Sequence, residues 1–271
     1  AGALAAALNG ALPSFQLGTD HLLRTYIKLA GSLDERLIIW WMKGKRYGII
    51  GSHATLLFNV EVGRFFRFFE QAKGSFNLAM FELSYYTDSA TGKLLERFSN
   101  PFTGAVNDVM RLARRPFISQ YTAADRFFPA LKNSAASYQS QVMPLFVDGD
   151  RVEIGSRVNA MMPSPFPKTP NTRINEYITV TGRRSDLLDP FTKSAPAELS
   201  YQNIQPWEPW MMMGDQPGQM VSWATGRKYE SLAGMPSGYL KMARAVHPWL
   251  IRDPIETLAV QTGKIRDLSV G

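Results

Sequence analysis

The stretch Phe81–Gly104, FELSYYTDSATGKLLERFSNPFTG, decides how this chain is read. It holds two five-residue pieces of one kind, Asp88-Ser-Ala-Thr-Gly92 and Asn100-Pro-Phe-Thr-Gly104. In each, an Asp or Asn side chain can accept from amides two residues on, and the closing Gly can take a positive φ without a Cβ clash, so each is a tight turn. Lys93–Ser99 between them has room for one short strand. Ser75–Thr87 ahead of them alternates for long enough to be a long strand ending at Tyr85-Tyr86. Folding back in this way gathers Glu82, Tyr85, Tyr86, Arg97 and Asn100, with Glu82 and Arg97 expected as a cross-strand ion pair.

The same pattern extends in both directions. Asp20 caps a short helical turn through Leu22-Leu23, and a strand is expected beyond Thr25. A turn at Gly31–Asp34 leads into the β-branched and aromatic run Leu37–Trp41. Gly44 allows a turn into Tyr47–Ile50, and Leu56–Val60 alternates. Arg64–Phe69 is apolar on both faces and fits strand or helix. On the far side, residues 105–137 look irregular: Pro116 and Pro129 break long elements, and Arg111–Arg115 leads out of a strand into a loop. Asp148-Gly-Asp150 then marks a hairpin between Val142–Val147 and Val152–Ala160. Met161–Thr172 carries four prolines and reads as a loop. Strands are expected at Arg173–Thr181, Leu199–Ile204 and Met220–Ala224, and a helix at Ser237–Val246.

Many short strands, few helices and no βαβ alternation give an all-β fold, an antiparallel meander closing into a lipocalin-like barrel or a strongly curved sheet. With 271 residues and no low-complexity linker, the reading is an arm at 1–19 and one domain at 20–271. The arm, rich in Ala, is either the remnant of an export signal or a soluble extension. It is too short and too interrupted by Asn9, Gly10 and Pro13 to span a bilayer. The chain has no cysteine, which excludes disulfides and thiolate chemistry and suits an oxidising compartment, so periplasmic is favoured over cytoplasmic. The net charge of +7 is spread over single Lys and Arg residues and short clusters such as Lys43-Gly-Lys45-Arg46, without the stripe that nucleic acid demands.

The pieces Tyr85–Gly92, Asn100–Gly104, Pro206-Trp-Glu-Pro-Trp-Met-Met-Met-Gly-Asp215 and Gly226-Arg-Lys-Tyr together resemble the bacterial family catalogued as domain of unknown function 1838. The likeness runs from about Asp20 to Pro254. It implies a β-rich domain, often exported, and it brings no catalytic set that can be carried over.

Chemistry is therefore read from the residues. His21, His53 and His247 lie far apart and form no His-x-His or His-Glu-x-x-His spacing, and there is no nucleophile elbow, Walker sequence or dinucleotide turn. Neither a metal nor another cofactor is expected. Trp207, Trp210, Met211, Met212 and Met213 crowd between Pro206 and Gly214 and suit the mouth of a barrel, as a plug or as an aromatic wall. The expected catalytic groups are Tyr85, Tyr86, Arg97, Asp108, Tyr177 and Asp215, because a Tyr beside an Arg or a shielded Asp can have its pKa moved toward neutrality. The expected binding residues are Trp40, Asn100, Arg115, Trp207, Trp210, Met211, Met213 and Lys228. Two functions fit. One is a cofactor-independent acid–base enzyme on a small lignin-like phenolic, most concretely a lyase releasing formaldehyde or water. The other is a lipocalin-like binder of an apolar or aromatic molecule. The density of Tyr, Arg and Asp favours the enzyme. No nucleic-acid or membrane partner is expected, and a homodimer is left open.

Overall fold

The structure is a computed structural model, and it describes residues 19–72, 74–110, 112–122, 137–162 and 172–259. The Ala-rich arm, Pro129 and most of the loop read at Met161–Thr172 lie outside the described residues. In chain order the strands are β1 Ile38–Ile50, β2 His53–Ala72, β3 Ser75–Thr87, β4 Arg97–Ser99, β5 Val106–Asp108, β6 Leu112–Thr122, β7 Ser137–Val142, β8 Phe146–Asp148, β9 Arg151–Met162, β10 Thr172–Arg183, β11 Ala197–Gln205 and β12 Gln219–Tyr229. The helices are α1 Thr19–Ala30, α2 Arg184–Leu188, α3 Ser237–Val246 and α4 Pro248–Ile251.

Ten strands form one antiparallel sheet in the order β6-β3-β2-β1-β12-β11-β10-β9-β7, with β8 also on β9. Two meanders, β1-β2-β3-β6 and β9-β10-β11-β12, are thus joined where β12 pairs with β1, from Ile39 opposite Tyr229 to Ile49 opposite Gln219. The sheet curls strongly into a half barrel. Arg64 on β2 and Glu176 on β10 come within 4.0 Å although they stand four strands apart, about 19 Å along the sheet. Strands β1 and β12 approach closely at Gly44, which pairs with Ala224. A Cβ on Gly44 would lie 1.9 Å from the Trp223 carbonyl oxygen, so only glycine allows that approach.

The pleat separates two cores. On the concave side Trp40, Met42, Phe58, Val60, Val62, Leu78 and Tyr86 pack with Leu23 and Ile27 of α1 and with the loop at Trp210–Met213. On the convex side Ile39, Phe65, Phe81, Leu83 and Tyr85 pack under Tyr239, Leu240 and Ala243 of α3 and Leu250 and Ile251 of α4. Strands β2 and β3 are buried on both faces, which is why Arg64–Phe69 reads as apolar all round.

Several elements differ from the sequence reading. The strand expected beyond Thr25 is helical, since α1 runs to Ala30. Its terminal carbonyls are satisfied from elsewhere: Lys228 Nζ donates to Lys28 O, Leu29 O and Gly31 O at 2.8, 2.9 and 3.1 Å, and Trp40 Nε1 donates to Ala30 O at 2.7 Å. Gly44 makes no turn, because β1 passes through it unbroken. The stretch 105–137, read as irregular, holds strand β6, and the described residues 112–115 of Arg111–Arg115, read as leading out of a strand into a loop, open that strand. Pro116 is tolerated there because β6 is an edge strand and its register slips opposite Met80–Glu82. The two turns of the opening stretch form as read. Gly92 and Gly104 sit at φ 68° and 71°, and Asp88 Oδ1 accepts from Ala90 N at 3.1 Å while Asn100 Oδ1 accepts from Phe102 N at 2.9 Å.

Candidate functional site

The concave face carries a polar constellation in the middle of its apolar core. Along β1 the residues facing the trough are Trp40, Met42, Gly44 and Arg46, so strand alternation turns Arg46 inward while Lys43 and Lys45 point away. Only 7% of Arg46 is exposed. Its Nε donates to Ser222 Oγ at 2.8 Å, and its Nη1 donates to Tyr86 Oη at 3.1 Å and Glu208 Oε1 at 2.8 Å. Glu208 Oε1 also accepts from Tyr86 Oη at 3.1 Å and Gln205 Nε2 at 2.9 Å. Three donors on one oxygen is the pattern of an ionised carboxylate.

A second group adjoins the first. Arg64 Nε donates to Glu82 Oε2 at 2.6 Å, and Ser84 Oγ donates to Glu82 Oε1 at 3.1 Å. Across the trough Tyr201 Oη donates to Glu176 Oε1 at 2.9 Å, and the Arg64 guanidinium lies 5.5 Å from the Tyr201 ring centre. Asn203 stands between the two groups, opposite Glu176 on β10 and Ser222 on β12.

Burial and charge set the proton affinities. Burial alone would lower both guanidiniums, but Tyr86 and Glu208 outweigh it at Arg46, as Glu82 and Glu176 do at Arg64, so both are held more firmly protonated. Burial pushes the Tyr86 phenol upward, against the pull of Arg46. It pushes Tyr201 upward as well, reinforced by Glu176. Both phenols therefore keep their protons at neutral pH. Tyr86 can donate a proton or a hydrogen bond, and the carboxylate that accepts from it is Glu208, which sequence reasoning passed over between its two tryptophans.

The structure brings together some of the expected residues and scatters others. Tyr86, Trp210, Met211, Met213 and Asn100 meet at one end of the trough. Trp210 packs on Phe58, Tyr86 and Phe98 with ring centres 5.7–5.9 Å apart. Asn100 Nδ2 donates to Met211 O at 2.9 Å and contacts Met213 Sδ at 3.1 Å, so it fastens the loop. The loop thus plugs the trough and delivers Glu208 into it. Trp207 sits further out on Phe102, with ring centres 5.3 Å apart. Trp40 and Lys228 face the trough but spend their polar atoms on the end of α1. Tyr85 lies on the convex face with its hydroxyl 2.9 Å from His247 Nδ1. Tyr177 is convex too, under the Arg157 guanidinium beside a shallow depression of about 270 Å³. Asp215 is exposed, and the Arg115 side chain lies outside the described residues. The ion pair expected between Glu82 and Arg97 does not form: Glu82 binds Arg64, and Arg97 faces Asp108 at 3.8 Å in the small β4–β5 sheet, in open solvent.

Arg46, Arg64, Glu176, Tyr201, Asn203 and Glu208 were missed. The strand alternation through Trp40 and Met42 was the available signal for Arg46. For Glu176 the signal was a single carboxylate on the β10 face that also carries Ile174, Ile178 and Val180, and for Tyr201 and Asn203 it was a polar continuation of the β11 face that begins with Ala197 and Leu199; neither is distinctive in sequence.

No curated protein matches the chain. The family model described as "Protein of unknown function (DUF1838)" matches residues 34–261, from the turn before β1 to beyond α4, and the chain belongs to that family.

Proposed function

We propose that the protein is a cofactor-independent acid–base enzyme acting on a small aromatic alcohol in the trough, with Glu208 as base and Arg46 and Tyr86 as donors to a leaving oxygen. The observation that carries this is the Arg46–Tyr86–Glu208 triangle, with edges of 2.8, 3.1 and 3.1 Å inside an apolar surround. An ionised carboxylate beside a firmly protonated phenol supplies a base and an acid at one point.

In its most concrete form the reaction is a lyase step releasing formaldehyde. Glu208 takes the hydroxyl proton of a primary alcohol, the C–O bond becomes C=O, and the neighbouring C–C bond breaks. The freed electron pair forms a C=C bond and expels the oxygen on the next carbon. Arg46 stabilises the charge developing on that oxygen. Tyr86 gives it a proton and is reprotonated by Glu208, so the products are formaldehyde, an alkene and a phenol or water, with no net oxidation.

The test incubates the purified protein with a panel of aryl-substituted propanediols and aryl ethers and follows formaldehyde and the alkene by mass. Conversion of at least one compound is expected. Glu208→Gln keeps the shape of the site and should lower turnover about 10²–10⁴-fold; the melting temperature should fall because buried Arg46 loses its carboxylate partner, so ligand binding by the folded variant is measured beside turnover. If compounds bind and quench tryptophan fluorescence but none is converted, the protein is a binding protein. Turnover that survives in Glu208→Gln would remove Glu208 as the base.

A further inference from the structure

Asn203 is 1% exposed, and its Oδ1 has no hydrogen-bond partner. An unpaired buried amide acceptor is destabilising, a cost that an apolar side chain of similar size would avoid. It is offset when a bound molecule supplies the donor. The register puts Asn203 where that molecule would also reach the site just described, since Ser222 across β12 accepts from Arg46 and Glu176 across β10 accepts from Tyr201.

Charge then decides the class of molecule. Among the described residues of the constellation, Glu82, Glu176 and Glu208 face Arg46 and Arg64, and both guanidiniums already carry carboxylate partners. Lys228, on the same face, is committed to the carbonyls at the end of α1. A carboxylate or phosphate entering here would meet excess negative charge and no open cation. A neutral O–H donor meets a waiting acceptor.

We propose that Asn203 Oδ1 determines specificity by accepting a hydrogen bond from a hydroxyl of a neutral phenolic or alcoholic ligand seated beside Arg46, Tyr86 and Glu208. This rests on the reading of the trough as the ligand site, and not on the lyase chemistry. A site built to bond a hydroxyl discriminates strongly against the analogue lacking it, because the acceptor is then left unpaired.

The experiment measures binding of 4-hydroxybenzyl alcohol, its doubly methylated ether and 4-hydroxybenzoate by tryptophan fluorescence and calorimetry. The native protein should prefer the alcohol over both others by at least about tenfold, or ~1.4 kcal/mol. Asn203→Leu should reduce the alcohol-to-ether preference to within about threefold while the ether's own Kd moves little. Asn203→Val and Asn203→Thr suit a strand, are nearly isosteric and carry the same comparison if leucine does not fold, with the preference retained only by Thr. Glu208→Gln should keep the preference while losing turnover, so a failure of the chemistry and a failure of the recognition are separate results. A preference that survives Asn203→Leu, equal binding of 4-hydroxybenzoate, or no binding of any of the three would overturn the proposal.

Discussion

Tyr85 and Tyr86 are neighbours of one residue type, yet the pleat of β3 sends their phenols into different chemistry. Tyr86 enters the trough, 3.1 Å from both Arg46 and Glu208. Tyr85 enters the convex core, edge-on to Tyr239 at 5.5 Å and 2.9 Å from His247. Burial raises both phenols, but among these partners only those of Tyr86 pair an arginine with a carboxylate. Which face a side chain occupies therefore decides its role here, and the sharpest tests set the two faces against each other.

The largest contrast is in packing. Trp210 is 8% exposed and closes the trough against Phe58, Tyr86 and Phe98, whereas Trp249 on the convex helices is 57% exposed. Trp210→Ala should cost about 3–5 kcal/mol of stability, while Trp249→Ala should stay within ~0.5 kcal/mol. Urea denaturation of both variants checks this. Equal losses would mean that the loop only rests on the trough and does not plug it.

Next comes the pair of tyrosines itself. Under the acid–base proposal Tyr86→Phe should lower turnover about 10²-fold, and Tyr85→Phe should leave it within about threefold. Tyr85→Phe should instead lose ~1 kcal/mol of stability with its hydrogen bond to His247. Steady-state kinetics beside thermal melts separates the two results, and matched losses of turnover would erase the distinction between the faces.

The same distinction governs what the sequence disclosed. The bounds of β3 and α3 and the turn at Gly149 were legible, because regular alternation, a period near 3.6 and an Asp-Gly turn are local signals. Helix α1 was not. Leu22, Leu23, Tyr26, Ile27 and Leu29 fit both periods over so short a run, and the groups that settle it, Trp40 and Lys228, come from other strands. Antiparallel strands could be counted, but the curl that brings Arg64 to Glu176, four strands apart in the sheet, is a long-range property that no local pattern carries. Charged residues facing such a trough look in sequence like residues facing water. For that reason Tyr86 was found while Arg46 and Glu208 were not.

Lys228 tests whether a trough-facing cation serves the fold or a ligand. Burial pulls its ammonium down to about 7, with Glu230 acting the other way. The unfolded value is ~10.4, so between these limits the unfolded chain holds a proton that the folded chain lacks. Stability should then rise with pH from about 7 toward ~10, by at most ~1.4 kcal/mol per unit. Lys228→Met should flatten that rise. It should also cost about 1–3 kcal/mol by orphaning the carbonyls of Lys28, Leu29 and Gly31. Denaturation across pH 6–10 reads both effects, and unchanged stability with weakened ligand binding would return Lys228 to the site.

The smallest effect is expected where sequence reasoning placed two catalytic groups. Arg97 and Asp108 face each other at 3.8 Å with side chains 70% and 95% exposed, on a two-stranded sheet outside the main one. In the high dielectric of water their attraction at that distance is only about 1 kcal/mol, and holding two mobile side chains together offsets most of it. Arg97→Ala and Asp108→Ala, alone or together, should therefore change stability by less than ~0.5 kcal/mol. Turnover should be unaffected, because neither side chain touches Arg46, Tyr86 or Glu208. A double-mutant cycle read by both denaturation and kinetics is the measurement. Coupling in stability alone would make the pair structural, whereas loss of turnover in either single variant would move the functional site out of the trough and onto the β4–β5 hairpin.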